Sequence, residues 1–121
     1  MIVFHIVPAA EWETAVATGT YAPASLGAEG FIHFSYAGQV AATANRYYRD
    51  RDGLHVVEVD LTGVPGEVKL EPSPSTGELF PHLYGPLPTA HALGVHPLRR
   101  NAAGDFVFSP GAGAGSASTG R

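Results

Sequence analysis

The sequence predicts an α+β fold in which a small, split and largely antiparallel sheet carries two helices. Strand-like and helix-like segments alternate over the first 50 residues, and only strand-like segments follow them. Apolar residues make up 45% of the 121 residues and charged residues only 15%, so the chain has enough apolar surface to bury a core. We therefore expect one domain over residues 1–108.

The first strand is predicted over residues 2–7, where the segment IVFHIV is rich in β-branched and aromatic residues and ends before Pro8. Side chains alternate along a strand, so His5 shares a face with Val3 and Val7. Both faces of the segment are apolar, and we expect this strand to lie at the centre of the sheet.

Helical spacing of apolar residues predicts the two helices. The first covers about residues 9–18 and presents three apolar residues on one side: Trp12, Ala15 and Val16. The second covers about residues 38–48, and Ser35 is placed to cap it. The residues between the helices form a turn-rich segment, 20–30, and a strand, 31–35.

Further strands are predicted along the rest of the chain at five places: residues 54–61, 67–71, 80–85, 92–98 and 105–108. The last residues, 109–121, contain few side chains that a core would bury, so we expect a disordered Gly/Ala/Ser tail.

Composition argues against several classes of protein. The net charge is -4 with seven Lys and Arg residues, which is unfavourable for binding a long nucleic acid. The absence of cysteine excludes disulfides, thiolate nucleophiles and Cys-ligated zinc. No signal peptide and no apolar run of membrane-spanning length is present, so we expect a cytoplasmic protein without a membrane partner.

Three histidines are the candidate catalytic residues. His5, His33 and His82 each lie in the middle of an apolar or aromatic stretch: VFHIV, FIHFS and FPHLYG. A buried imidazole needs hydrogen-bond partners for both nitrogens, so three such residues are most simply explained by one shared polar pocket. The remaining histidines lack this context and are interpreted as structural or surface residues: His55, His91 and His96.

Polar residues near these histidines are candidate ligand contacts. Ser35 lies two residues after His33 on the same side of its strand, and Tyr84 lies two residues after His82. Either Asp60 or Glu71, each near the end of a predicted strand, is a candidate pocket carboxylate. A three-histidine zinc site remains an alternative, but no metal is expected, because the histidines lack the close spacing of ligands that share one element.

The motifs resemble those of a family of small bacterial proteins known as a domain of unknown function. They occur in one order over residues 2 to about 98: FHIV, W-x-x-A, G-x-Y-x-P-x-S-L, EGFIHFS, VVEVDL and FPHLYGPL. The combination of GFIH-x-S with FPH-x-YG is the most specific part of the resemblance.

That family is classed with the ADP-ribosyltransferase-like fold. The resemblance implies that His5 corresponds to the first-strand histidine of diphtheria-toxin-type transferases. It also implies that His33 and Ser35 match the second histidine and the serine of H-V-H-L-S in tRNA 2'-phosphotransferases. The helix that follows contributes Tyr47 as a substrate-binding candidate. NAD is the substrate that this superfamily implies.

The sequence departs from the superfamily pattern at several points. Ile6 and Val7 follow His5 where Gly-Thr is usual, no Arg accompanies the histidines, and the late Glu has no clear counterpart.

The leading interpretation is an enzyme acting on a nucleotide-like or other small polar ligand, with NAD among the candidates. It would be a transferase at a glycosidic or phosphate-ester bond. The catalytic residues would be His5, His33 and His82, and the substrate-binding residues Ser35, Tyr84, Tyr47 and Glu71. The alternatives are a non-catalytic ligand-binding protein and a metal-dependent hydrolase, and we expect a monomer or weak homodimer.

Overall fold

Strands and helices alternate through Tyr47, and mainly strands follow. A computed structural model describes residues 1–110. The helices are α1 (Ala9–Thr18), α2 (Ala24–Glu29) and α3 (Val40–Tyr47), and two 3-10 turns cover Ala37–Gln39 and Thr89–His91. The strands are β1 (Ile2–Pro8), β2 (Thr20–Tyr21), β3 (Ile32–His33), β4 (Leu54–Asp60), β5 (Glu67–Pro72), β6 (Leu79–Tyr84), β7 (Leu87–Pro88), β8 (Ala92–Pro97), β9 (Arg99–Arg100) and β10 (Phe106–Val107).

The strands pair antiparallel, which confirms the predicted α+β class. Two three-stranded sheets have the orders β1-β4-β8 and β3-β6-β5, and two shorter pairs are β2-β7 and β9-β10. The prediction that β1 is the central strand was wrong. The central strand of its sheet is β4, and its two faces are both buried: Leu54 and Val56 lie on one face and Val57 and Val59 on the other.

A single bridge joins the two larger sheets. The backbone N–H of Phe4 donates to Ser35 at 2.8 Å, and the N–H of Ser35 donates back to Phe4 at 2.8 Å. The N–H of Phe34 donates to Pro81 at 2.9 Å and extends the pairing of β3 with β6. β3 and the residues after it therefore run between β1 and β6, and they place side chains on two opposite faces.

Two apolar clusters fill the domain. The larger lies between the two sheets and α1: Val3, Val7, Trp12, Ala15, Tyr21, Ile32, Phe34, Val57, Val59, Leu61, Leu83 and Leu87. The smaller lies under α3 on the other face of β1 and β4: Phe4, Ile6, Val40, Ala44, Leu54, Val56 and Phe106. Both faces of β1 are thus buried even though it is not the central strand.

The helices differ from the prediction in three respects. The segment predicted as turn-rich contains a third helix, α2, which ends at Gly30 with the left-handed φ of 89°. In α1, Trp12 and Ala15 are buried as predicted, but Val16 is largely exposed. Ser35 does not cap the second predicted helix, because the 3-10 turn before α3 begins after Tyr36, whose N–H donates to the side chain of Gln39 at 2.9 Å.

The C-terminal part of the described chain is a short hairpin of β9 and β10. The side chain of Asn45 accepts from the N–H of Phe106 at 2.7 Å and donates to its carbonyl at 3.0 Å, which fixes β10 against α3. Most of the predicted tail, residues 111–121, lies outside the described residues. Across residues 1–110, no helix has the length and apolar character needed to cross a membrane.

Candidate functional site

The sheet β3-β6-β5 brings together four of the predicted site residues on one face. His33 pairs directly with His82 across β3 and β6, so their side chains share a face. Tyr84 follows two residues after His82 on that face, and Glu71 lies there on β5, two residues after Lys69, the partner of His82. The other face carries Ile32 and Leu83, which belong to the larger core. We call the His33 face the outer site.

A chain of hydrogen bonds connects these four side chains. Nδ1 of His33 lies 3.1 Å from Nε2 of His82, and Nδ1 of His82 lies 2.8 Å from Oε1 of Glu71. The hydroxyl of Tyr84 donates to the same Glu71 oxygen. One ring nitrogen of the four-residue chain is left over: Nε2 of His33 is buried and forms no hydrogen bond with any of the described residues, 1–110.

The chemistry of Glu71 sets the direction of these hydrogen bonds. The Tyr84 hydroxyl, followed by the His82 ring, holds the pKa of Glu71 below its usual value, so the carboxylate is ionised and only accepts. His82 therefore donates from Nδ1, and in its neutral form it accepts at Nε2. His33 donates from Nδ1 to that nitrogen. Nε2 of His33 is left as a lone pair, which is the form a general base needs.

Burial keeps His33 neutral. It lowers the pKa of His33 to about 4, and the neighbouring His82 and His5 add to this effect. At neutral pH the lone pair on Nε2 is therefore free of a proton. Nε2 of this neutral ring is buried and has no hydrogen-bond partner among residues 1–110.

Aromatic rings surround the outer site. Phe31 stacks on His82 with ring centres 3.9 Å apart and 12° between their planes, and Phe80 lies 5.0 Å from the ring of His33. Nζ of Lys69 lies 4.8 Å from the centre of the Tyr84 ring. Phe31 was not among the predicted site residues, although its position two residues before His33 predicts the same face.

His5 lies in a different environment on the opposite face of β3. Its Nδ1 donates to the backbone carbonyl of His33 at 2.7 Å, and its Nε2 accepts from the Tyr21 hydroxyl at 2.7 Å. The ring packs 5.6 Å from that of Phe34, a member of the larger core. Burial lowers the pKa of His5 to about 4 and raises the pKa of Tyr21. We call His5 and Tyr21 the inner pair.

Of the three histidines expected to share one pocket, the structure brings the rings of His33 and His82 into contact and places the His5 ring apart from them. His5 reaches the outer site through the backbone of His33 and has no ring nitrogen free for a ligand. Tyr21 was missed because it lies in the segment predicted as turn-rich. A tyrosine in such a segment could have been recognised from its type, because a buried tyrosine ring needs a hydrogen-bond partner for its hydroxyl.

Two other predicted residues do not join the hydrogen-bonded chain. Ser35 is buried, and its backbone is used in the bridge to Phe4. Tyr47 is 61% exposed at the end of α3, a helix that packs on the smaller core through Val40 and Ala44. Their predicted roles as ligand contacts have no geometric support in this arrangement.

The remaining polar candidates form separate contacts. Asp60 binds the N-terminal amine at 3.3 Å, so of the two candidate carboxylates only Glu71 reaches the histidines. His91 donates to the carbonyl of Asp60 at 3.0 Å, and His96 lies 2.9 Å from Glu58. These contacts agree with the structural roles expected for His91 and His96.

A surface cleft of about 420 Å³ lies away from the outer site, between α1 and residues 21–24. Its lining is Ala10, Glu11, Thr14, Ala15, Tyr21, Ala22, Pro23 and Ala24. It includes none of the predicted site residues. Within residues 1–110, no three His, Asp or Glu side chains are grouped to hold a metal ion.

Comparison with known proteins finds a family and a solved relative. A family model described as "Protein of unknown function (DUF952)" matches residues 6–95. The crystal structure of CC0527 from Caulobacter crescentus is 31% identical to this chain, covers 93% of this chain and 97% of its own, and gives a TM-score of 0.79. The solution NMR structure of CC0527 covers 95% of its own chain and gives 0.75. No curated protein matches the chain.

Proposed function

The chain belongs to the DUF952 family of proteins of unknown function, as its motifs predicted, and we propose that it is a small acid–base enzyme whose general base is His33. The observation that carries the proposal is the buried Nε2 of His33, which has no partner within residues 1–110 although Nδ1 of the same ring is hydrogen-bonded. Buried polar atoms are nearly always satisfied, so an exception at the end of a polar chain points to a ligand group.

The proposed ligand is a small polar molecule that presents an O–H or N–H group to Nε2 of His33. A general base must lie about 2.6–3.2 Å from the atom whose proton it removes. His82 orients the base and Glu71 orients His82, and this three-residue order follows the logic of hydrolase triads. Phe31 and Phe80 supply flat apolar surface beside the two rings.

We extend the proposal to a nucleotide-like ligand, with NAD among the candidates, on the basis of the resemblance to ADP-ribosyltransferase-like proteins. In this scheme His33 activates the hydroxyl that attacks a glycosidic or phosphate-ester bond. The role given to His5 changes. Both of its nitrogens are bonded inside the protein, so it supports β3 and does not hold the ribose.

A ligand panel tests the proposal. NAD, ADP-ribose, AMP and inorganic phosphate are added to the full chain, and binding is followed by NMR shifts of the histidine rings while turnover is followed by chromatography. We expect shifts at His33 and His82, and a loss of turnover of about 100-fold or more in His33→Ala. The matched control is His55→Ala, because the His55 side chain forms no hydrogen bond within residues 1–110.

Other outcomes would change the assignment. Binding at His33 without turnover would make the protein a non-catalytic binder. Shifts confined to His5, whose Nε2 is bonded to the cleft residue Tyr21, would move the site to the cleft beside α1 and would overturn the proposal. One equivalent of zinc bound through His33 would favour a metal-dependent hydrolase.

A further inference from the structure

We propose that His33 and His82 form a proton relay in which a proton accepted at Nε2 of His33 produces a positive charge on His82, beside Glu71. The inference deepens the proposed function, because it states where the charge of general-base catalysis is held. The relay is nevertheless a property of the chain alone, and it is testable without a ligand.

The starting state is fixed by the hydrogen bonds. His82 carries its proton on Nδ1 and donates it to Glu71 at 2.8 Å. His33 carries its proton on Nδ1 and donates it to Nε2 of His82 at 3.1 Å. This arrangement is the one in which both rings are neutral, and it leaves a lone pair on Nε2 of His33.

The transfer moves two protons and leaves every atom accounted for. An N–H bond forms at Nε2 of His33 as the ligand group loses its proton. The N–H bond at Nδ1 of His33 breaks, and this second proton passes along the existing hydrogen bond to Nε2 of His82. His33 ends neutral with its proton on the other nitrogen. His82 ends as an imidazolium that still donates to Glu71.

The surroundings favour the charge on His82 over His33. An imidazolium at His82 lies 2.8 Å from a carboxylate, whereas His33 has no carboxylate in contact and is held neutral by burial. The stacked ring of Phe31 offers its π face to a cation on His82.

The charged and titratable groups near the relay come from three strands. β5 contributes Glu67, Lys69 and Glu71, so this strand face carries two carboxylates and one ammonium group. β6 contributes Tyr84, whose hydroxyl donates to Glu71 and leaves the carboxylate its charge. β1 contributes His5, which is neutral and contacts the backbone carbonyl of His33. This balance favours a cation at His82.

The test is NMR of the full chain with labelled histidine ring nitrogens, recorded from about pH 8 to about pH 4. Ring ¹⁵N shifts distinguish a protonated nitrogen from a lone pair. We expect His33 to change from Nδ1–H to Nε2–H in the same pH step in which His82 gains its second proton. An imidazolium at His33 would overturn the relay. A His82 titration that leaves the His33 tautomer unchanged would also overturn it.

A pair of variants tests the part played by Glu71. Glu71→Gln removes the carboxylate that contacts His82, and we expect the coupled step to move about one pH unit or more toward acid. Glu67→Gln removes the same charge from the same strand face but has no hydrogen bond to His82, so its shift is expected to be smaller. Equal shifts, or no shift in Glu71→Gln, would contradict the relay.

The ring-nitrogen measurement and the ligand panel fail independently. A tautomer switch, combined with a panel in which no compound shifts or reacts at His33, would leave the relay intact and count against the proposed enzyme function. A ligand that binds His33 while both rings titrate separately would keep the enzyme function and remove the relay.

Discussion

The inner pair and the outer site show how two partly buried histidines in similar sequence contexts acquire different hydrogen-bond environments. His5 and His33 both lie in apolar segments, and burial lowers the pKa of each to about 4. His5 has both nitrogens bonded, to a carbonyl and to a phenol. His33 has one nitrogen bonded to another histidine and one without a partner. Burial is common to both, so the number of satisfied nitrogens distinguishes a structural histidine from a candidate base.

The largest effect expected from this comparison is on stability, in His5→Ala. The substitution leaves a cavity in the larger core and removes the partners of the Tyr21 hydroxyl and the His33 carbonyl. We expect the free energy of unfolding to fall by about 2–4 kcal/mol. Chemical denaturation measures the change, and His55→Ala serves as the control. A fall below about 1 kcal/mol would show that the inner pair contributes little.

Acid pH should weaken the fold through the inner pair. The pKa of His5 is about 4 when folded and 6.5 as the ordinary value, so below 6.5 the unfolded chain binds a proton that the folded chain excludes. The contribution of His5 to the free energy of unfolding is therefore complete above about pH 6.5. It is lost as the pH falls toward 4, by up to about 3 kcal/mol.

Denaturation curves across this pH range compare the two histidines. We expect His5→Ala to flatten the pH dependence. His33→Ala should flatten it to a similar extent, because the folded pKa of His33 also lies at about 4 against an ordinary value of 6.5. A pH dependence that neither substitution flattens would show that these two rings do not exclude a proton on folding.

Tyr21→Phe removes one oxygen from the inner pair and keeps the ring. Nε2 of His5 then loses its donor inside the core, and we expect a loss of about 1–3 kcal/mol in the free energy of unfolding. The double variant with His5→Ala should lose less than the sum of the two single losses, since both remove the same hydrogen bond. Additive losses would show that the two residues act independently.

His33→Ala should have a smaller effect on stability than either inner variant. It removes one side-chain hydrogen bond and also the buried nitrogen that has no partner, so we expect a loss below about 1.5 kcal/mol. Ligand-induced thermal shifts should disappear in this variant. A large fall in stability with the ligand response preserved would identify His33 as a core residue.

The smallest effect is expected from deleting residues 111–121. The segment consists of Gly, Ala, Ser and Thr with a final Arg, and such side chains bury little apolar area. Both histidine environments lie within residues 1–110, so neither should change. A thermal unfolding curve tests this, and a decrease of several degrees would show that the segment contributes to the fold.

Strand positions were predictable where alternation was strong. Residues 54–61 were predicted as a strand and β4 covers Leu54–Asp60, because every second side chain there enters a core. The helix α2 was missed, since glycine and proline favour turns and only Leu26, packed against the larger core, gives it tertiary support.

The sequence by itself determined the α+β class and the family, and it predicted His5, His33 and His82 as candidate site residues, because these depend on local patterns and motifs. Only the tertiary structure decided which histidines meet. His33 and His82 are 49 residues apart, and their contact depends on the register of β3 against β6. The bridge between Phe4 and Ser35 sets β1 beside β3 and turns the His5 ring to the opposite face. The sequence shows which side chains of one strand lie on the same face, whereas strand pairing decides which side chains of different strands come together on one face of the sheet.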